Sequence, residues 1–384
     1  MKKSLIALAV MAAAGAASAQ SSVTLFGIVD ATIAHGSNSG AGDASKTQLT
    51  NSGYNSSRIG FRGTEDLGGG MNASFWLEGS LGNDDGTAGQ RIPVGNQAAI
   101  NAPNDGAGLV FNRRSTVSLA GNWGEVRLGR DYTPTFWNLT IFDPFGTNGV
   151  GTTMTLNGPS TGLASPAAAG TFVPNGSRNV IVRASNDIGY FLPANLGGFY
   201  GQVNYWFGEN VHNGAATEKD GEGYGLRLGW GSGPFNLAAA WAKTKYGITA
   251  PATGGDYTTW NLGGQWDFGM AKLMAQFSED KKGSTTTLKG NGWLIGTLIP
   301  VGAGEIRASY SSYKIDFGPG TDPKTDQLAL GYVHNLSKRT ALYATVARAN
   351  NKDGASMTLN GSTVAAGAVN FHATGYDLGI RHSF

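Results

Sequence analysis

Val23-Thr24-Leu25-Phe26-Gly27-Ile28-Val29-Asp30-Ala31-Thr32-Ile33 alternates without interruption. Val23, Leu25, Gly27, Val29, Ala31 and Ile33 fall on one side, and Thr24, Phe26, Ile28, Asp30 and Thr32 on the other. Successive side chains of an extended chain point to opposite faces, so this stretch predicts a strand with one face fit for lipid and one that carries a carboxylate. The same pattern returns in Arg58-Ile59-Gly60-Phe61-Arg62-Gly63-Thr64, where Ile59 and Phe61 oppose Arg58 and Arg62. It returns again from Asn72 to Leu81, where Glu78 sits on the polar side, and in Gly124-Glu125-Val126-Arg127-Leu128-Gly129-Arg130.

Connections between these strands come in two kinds. Long ones rich in Gly, Asn and Asp (83–108, 209–221, 246–255, 314–324, 351–370) alternate with short ones such as Gly231-Ser232-Gly233-Pro234 and Asn335-Leu336-Ser337-Lys338. Strict alternation of long and short means that successive strands run up and down, with turns on one rim and loops on the other. Counting by this rule gives about sixteen strands, the last ending at Phe384, and a closed barrel of that size is wide enough to hold water. The predicted class is all-β, a transmembrane antiparallel β-barrel filling residues 20–384, with no linker or second domain.

Bulk composition agrees with that class. Lys2, Lys3, an apolar run over residues 5–17 and Ala17-Ser18-Ala19 read as a signal peptide over residues 1–19, which directs the protein out of the cytoplasm. No other stretch approaches the eighteen or more apolar residues of a membrane helix. A barrel needs none, because each strand is apolar on its outer face alone, and the mean hydropathy of −0.17 fits. With no Cys, disulfide staples and thiolate metal sites are excluded. The 60 Gly, 17 Phe and 13 Tyr suit short strands, tight turns and aromatic bands. Phe199, Tyr205, Tyr224, Trp230, Trp241, Trp260, Trp266 and Tyr310 are the expected girdle; a β-sandwich of this length would need far more Val, Ile and Leu. Loss of Lys2 and Lys3 leaves 26 basic against 26 acidic residues, so no global field argues for nucleic acid.

One connection breaks the rule for loops. Residues 132–176 carry a single charge, Asp143, amid Gly, Thr, Asn, Pro, Phe and Trp. Solvated loops are short and polar, so this one is read as folded back into the barrel lumen.

These residues resemble the general porins of Gram-negative outer membranes, of the neisserial and β-proteobacterial type. The resemblance rests on residues 23–30, on Ser57 to Gly68, on Gly124 to Arg130, on 190–199, and on the terminus Gly379-Ile380-Arg381-His382-Ser383-Phe384. It implies a non-specific, sixteen-stranded homotrimeric channel whose third loop forms the constriction, with Phe384 as the signal read by barrel-insertion machinery. It also implies outer-membrane lipid and lipopolysaccharide around the barrel, and small hydrophilic solutes and anions within it. Where the family has Pro-Glu-Phe-Gly, this chain has Asp143-Pro144-Phe145-Gly146, which makes Asp143 the one carboxylate the loop has to offer. Asp131 stands where the family often has glutamine.

The expected constriction therefore comprises Arg58, Arg62 and Arg114 on the polar faces of neighbouring strands, with Asp131 and Asp143. Asp30, Glu78, Arg127, Arg178 and Arg183 are further lumen-facing candidates, Arg127 being best read as neutralising a nearby acid. A set of like charges is how a wide pore selects ions, and guanidinium groups stay protonated at working pH, so anions are the predicted preference.

Enzyme-like fragments lack their context. Gly158-Pro159-Ser160-Thr161-Gly162 has no strand-to-helix turn, and Asp267-Phe268-Gly269 and Asp316-Phe317-Gly318 have no kinase partners. His35, His212, His334, His372 and His382 show no metal spacing, and Asn83-Asp84-Asp85-Gly86 reads as a solvated turn. No catalysis, metal or cofactor is assigned. The alternative readings are a substrate-selective channel or adhesin using its external loops, and a soluble secreted β protein.

Overall fold

The computed structural model describes residues 22–40, 44–88, 108–161, 179–247, 255–283, 287–316, 318, 320–362, 364 and 367–384. The expected signal peptide and Arg178 lie outside the described residues. The strands are β1 (Ser22–Ser39), β2 (Ser45–Asn51), β3 (Arg58–Gly68), β4 (Met71–Gly82), β5 (Thr87–Ala88), β6 (Arg114–Gly121), β7 (Gly124–Tyr132), β8 (Arg183–Phe191) and β9 (Phe199–Trp206). They continue as β10 (Gly223–Ser232), β11 (Phe235–Thr244), β12 (Tyr257–Asp267), β13 (Lys272–Lys282), β14 (Leu288–Val301), β15 (Gly304–Asp316), β16 (Lys324–Asn335), β17 (Thr340–Lys352) and β18 (His372–Ser383). Between β7 and β8 lie three short helices, α1 (Pro134–Ile141), α2 (Met154–Thr161) and α3 (Asn179–Val182).

All pairings are antiparallel, and β18 returns to β1 from Ile28↔Ser383 to Ser39↔His372, which closes the sheet and removes its edges. Two positions in the wall are shared. Residues 31–37 of β1 pair with β2 while residues 22–28 pair with β3, and β4 pairs with β5 above and β6 below. The eighteen segments therefore make a sixteen-stranded barrel. The interruption between β2 and β3 has a chemical cause: the Asp30 carboxylate takes the backbone N–H groups of Tyr54 (2.9 Å) and Asn55 (2.6 Å), drawing residues 52–57 out of the ladder.

Burial is inverted relative to a water-soluble protein. Outward Val23, Leu25, Ile33, Val203 and Leu228 are exposed, while inward Asp30, Thr32, Asn204 and Asn261 are buried. Only a hydrocarbon surround makes that arrangement favourable. Outward aromatics form two levels. Tyr224 packs on Trp241 (5.4 Å between rings) near the loop rim, and Phe235 on Trp266 (4.6 Å) near the turn rim. Tyr224 and Trp230 on one strand are separated by roughly 20 Å at about 3.4 Å per residue, close to the height of an apolar membrane band. The turn rim is tight: Gly68, Gly69 and Gly70 all take positive φ (77°, 62° and 80°), which other residues rarely adopt.

Candidate functional site

The helices lie inside the barrel, in the segment that the sequence reads as a loop folded back into the lumen. Thr133-Pro134 starts α1, because the Thr133 hydroxyl accepts the N–H of Phe136 (3.3 Å) and Pro134 has no N–H to leave unpaired. The segment then runs around one half of the wall. Asn138 Nδ2 donates to the Ala238 carbonyl on β11 (2.9 Å), and Asn261 Nδ2 on β12 donates to the Thr135 carbonyl (2.9 Å). Farther along, Gln327 Nε2 on β16 donates to the Val150 and Thr152 carbonyls (3.3 and 3.1 Å), and Val150 N–H donates to Asp377 on β18 (2.6 Å).

Apolar packing follows the same track. Phe136, Leu139, Met154 and Leu156 join Tyr257, Tyr313 and Ile315, while Phe145 and Val150 join Ala329, Ala347 and Ala373. The wall is notched to receive them: a Cβ at Gly263 would enter the Phe142 ring, and one at Gly296 would meet Pro144.

Asp143 is a correction to the sequence reading. Its carboxylate accepts the N–H groups of Phe145 (2.9 Å), Thr147 (3.1 Å) and Thr153 (3.2 Å), and the residue is buried. Burial pushes its carboxyl up to about 6 even though three donors favour the anion. Asp143 folds the segment upon itself and does not face the lumen. With it withdrawn, the described part of the inward segment offers no carboxylate to the passage.

The uncovered half of the wall, β1 to β9, carries the densest group of arginines. Arg58 and Arg62 share the inner face of β3, and Arg114 stands opposite Glu78 of β4. Arg62 is exposed, lies over the rings of Phe26 (5.2 Å) and Trp76 (5.1 Å), and forms no ion pair among the described residues. Arg114 covers Trp76 (4.7 Å) and approaches Asp131 (3.7 Å). Arg127 pairs with Asp131 (2.5 Å) and Glu125 (3.0 Å), as a neutralising partner should. Arg183 donates to the Arg113 carbonyl (2.8 Å) and the Tyr132 hydroxyl (3.1 Å). Arg113 reaches Glu78 (2.5 Å), which also takes Trp76 Nε1 (3.1 Å) and lies 3.7 Å from Arg58.

Three further acids are less available than expected. Asp30 is on the inner face yet fully covered, its oxygens taken by Tyr54, Asn55, Thr32 and Tyr343. Asp131 and Glu78 are likewise buried in ion pairs and lower the local charge without standing free. Arg58, Arg113, Arg114 and Arg127 thus meet Glu78, Glu125 and Asp131, while Arg62 stands apart, Arg183 is held by a carbonyl and a hydroxyl, and Arg130 of β7 donates to the Asn112 carbonyl and the Ser185 hydroxyl (2.7 Å each); Asp187, four residues beyond Arg183, is held by Asn204 (2.7 Å). Seven guanidinium groups against Asp30, Glu78, Glu125, Asp131 and Asp187 leave this wall positive.

Sequence reasoning missed Arg113, Arg227, Arg307 and Arg381. Arg227 donates to Asn138 of α1 (2.5 Å); Arg307 and Arg381 cover Tyr54 (4.4 and 5.2 Å). Alternation counted back from outward Tyr310 would have put Arg307 inside, and the same count applies to Arg227 and Arg381. Arg113 precedes its strand, so no parity rule reaches it. Phe384 ends the seam, exchanging backbone hydrogen bonds with Gly27 (3.1 and 3.2 Å).

Comparison with known proteins bears on the whole chain. A family model described as Gram-negative porin matches residues 5–354. Outer membrane porin protein 32 of Delftia acidovorans is 43% identical over 389 residues, covering 100% of both chains. Major outer membrane protein P.IB of Neisseria meningitidis serogroup B is 35% identical over 136 residues, 34% of each chain. Among solved structures, one described as an anion-selective porin from Comamonas acidovorans superimposes with a TM-score of 0.78 at 38% identity, covering 95% of this chain and 100% of that one.

Proposed function

Since the chain belongs to the Gram-negative porin family, its barrel is a channel of the outer membrane, and we propose that this channel prefers anions. Small hydrophilic solutes cross it passively through a water-filled lumen, and the constriction lies between the arginine half of the wall and the inward segment. The observation that carries the preference is the pairing of a positive wall with a segment whose one acid is folded inward. Charges a few residues apart act within a Debye length of about 8 Å, so they remain only partly screened. The preference is moderate, because Glu78, Glu125 and Asp131 neutralise part of the cluster. The relative described as anion-selective supports the same sign.

Reversal potentials across planar bilayers in a KCl gradient provide the test. Wild type is expected to favour chloride, and replacing Arg58, Arg62 and Arg114 together by Gln should move the channel towards potassium. A wild-type channel that already favours potassium would reject the proposal. The working unit is expected to be a homotrimer; cross-linking that traps only monomers in mild detergent would count against it.

A further inference from the structure

The arginine wall holds more than charge. A cavity of about 370 Å³ opens between β1, β3, β4, β6, the end of β7, the chain terminus after β18 and α1, with Arg58 and Arg114 on its cationic side and Phe26, Trp76, Tyr132, Trp137 and Phe384 among its lining. Its size is at the lower end of the roughly 300–1,000 Å³ of small-molecule pockets. Chloride selection needs guanidinium groups alone. Large aromatic side chains on the wet face of a barrel forfeit the burial they would gain on the lipid face, so their presence beside the arginines calls for a different ligand.

Their arrangement is built from both sides of the passage. Phe26 and Trp76 are tilted neighbours at 4.8 Å, and Gly60 leaves the space into which Phe26 projects. Arg62 and Arg114 lie on the Trp76 ring, which holds flat cations against the wall. Trp137 comes from the opposite side, on α1, edge-on to Tyr132 at 5.2 Å. A guanidinium group held flat binds a carboxylate along its N–H edge, and ring faces take another ring by stacking. Glu78 also lines the cavity, but its oxygens are engaged by Arg113 and Trp76.

We propose that this cavity is a transit site for small aromatic monocarboxylates of the benzoate type. The ring passes between Trp137 and Phe26, and the carboxylate faces Arg58 and Arg114. The proposal deepens the anion-preferring reading and rests on it. An inorganic anion or an aliphatic acid meets the charge without the ring contacts.

The experiment is a bi-ionic measurement on the full-length protein in planar bilayers, with sodium benzoate on one side and sodium cyclohexanecarboxylate on the other. The two solutes share charge and ring size and differ in the π face. Benzoate is expected to be about threefold more permeant, the scale of one exposed aromatic contact. Trp137→Phe should keep that ratio and Trp137→Leu should bring it to about one, the scale of losing that contact; should Trp137→Leu fail to insert, Phe26→Leu carries the same comparison. A wild-type ratio of one, in membranes that still favour chloride over potassium, overturns the aromatic site and leaves the anion reading standing. A ratio unchanged in both leucine variants also overturns it. Preference for potassium in the KCl gradient would reject the anion reading instead, and the ratio of the two acids can still be read.

Discussion

Along β11, β12, β14, β16 and β17 many inward positions beneath the inward segment are small, among them Ala238, Ala240, Gly263, Gly296, Ala329, Ala347 and Ala349, with Asn261 and Gln327 between them as anchors. Along β3 to β7 they include Arg58, Arg62, Glu78, Arg114, Glu125 and Arg127. One half of the wall is cut to receive a folded segment, and the other is charged and left open to water. The side of the lumen on which the passage runs is therefore decided as much by where side chains are missing as by where they are present. A glycine in the first half shapes the pore as directly as an arginine in the second.

The largest effect is expected from filling a notch. Gly263→Val would push into Phe142, and overpacking of this kind costs about 1–3 kcal/mol. The inward segment should lift from the wall, and single-channel conductance should change markedly while the barrel still inserts; wild-type conductance would show that the segment is held mainly by its hydrogen bonds. A smaller effect is expected at Asp143. Its carboxyl, held near 6, binds a proton in the folded state at pH values where the unfolded chain has released it. The folded state thus binds more protons between about pH 4 and 6, and this contribution is present at acid pH and lost as pH rises through about 6. Thermal stability of wild type relative to Asp143→Asn should decline over that window by no more than about 3 kcal/mol. A difference independent of pH would contradict the burial of that carboxyl.

Much of this was legible in the chain. Alternation identified the strands and put Arg58, Arg62 and Arg114 on the polar face, because parity in a β-strand is a two-state choice that one apolar face settles. The charge-poor composition of residues 132–176 marked the segment as one that leaves the surface, and its described part, 132–161, lies inside the barrel. Composition does not say which way Asp143 turns, because that depends on the N–H groups of residues 145, 147 and 153, which meet it only after the chain folds back. The helical turns are too short for a period to show. The break between β2 and β3 depends on Asp30, whose partners at 54 and 55 lie in a connection with no periodic pattern of its own.

The β1–β18 seam carries a consequence for how the molecule comes into being. Its register joins Ile28 to Ser383 and Ser39 to His372, so the contacts that finish the wall are also those most distant in sequence. Every partly assembled sheet, whichever hairpin forms first, presents two bare edges whose N–H and C=O groups seek a partner. Closing them requires the ends of nearly the whole chain to meet, a step whose entropic cost is met before its reward. The slowest moment in the life of this barrel should accordingly be its last pairing, and the species waiting at that moment is the one most prone to pair with a neighbour.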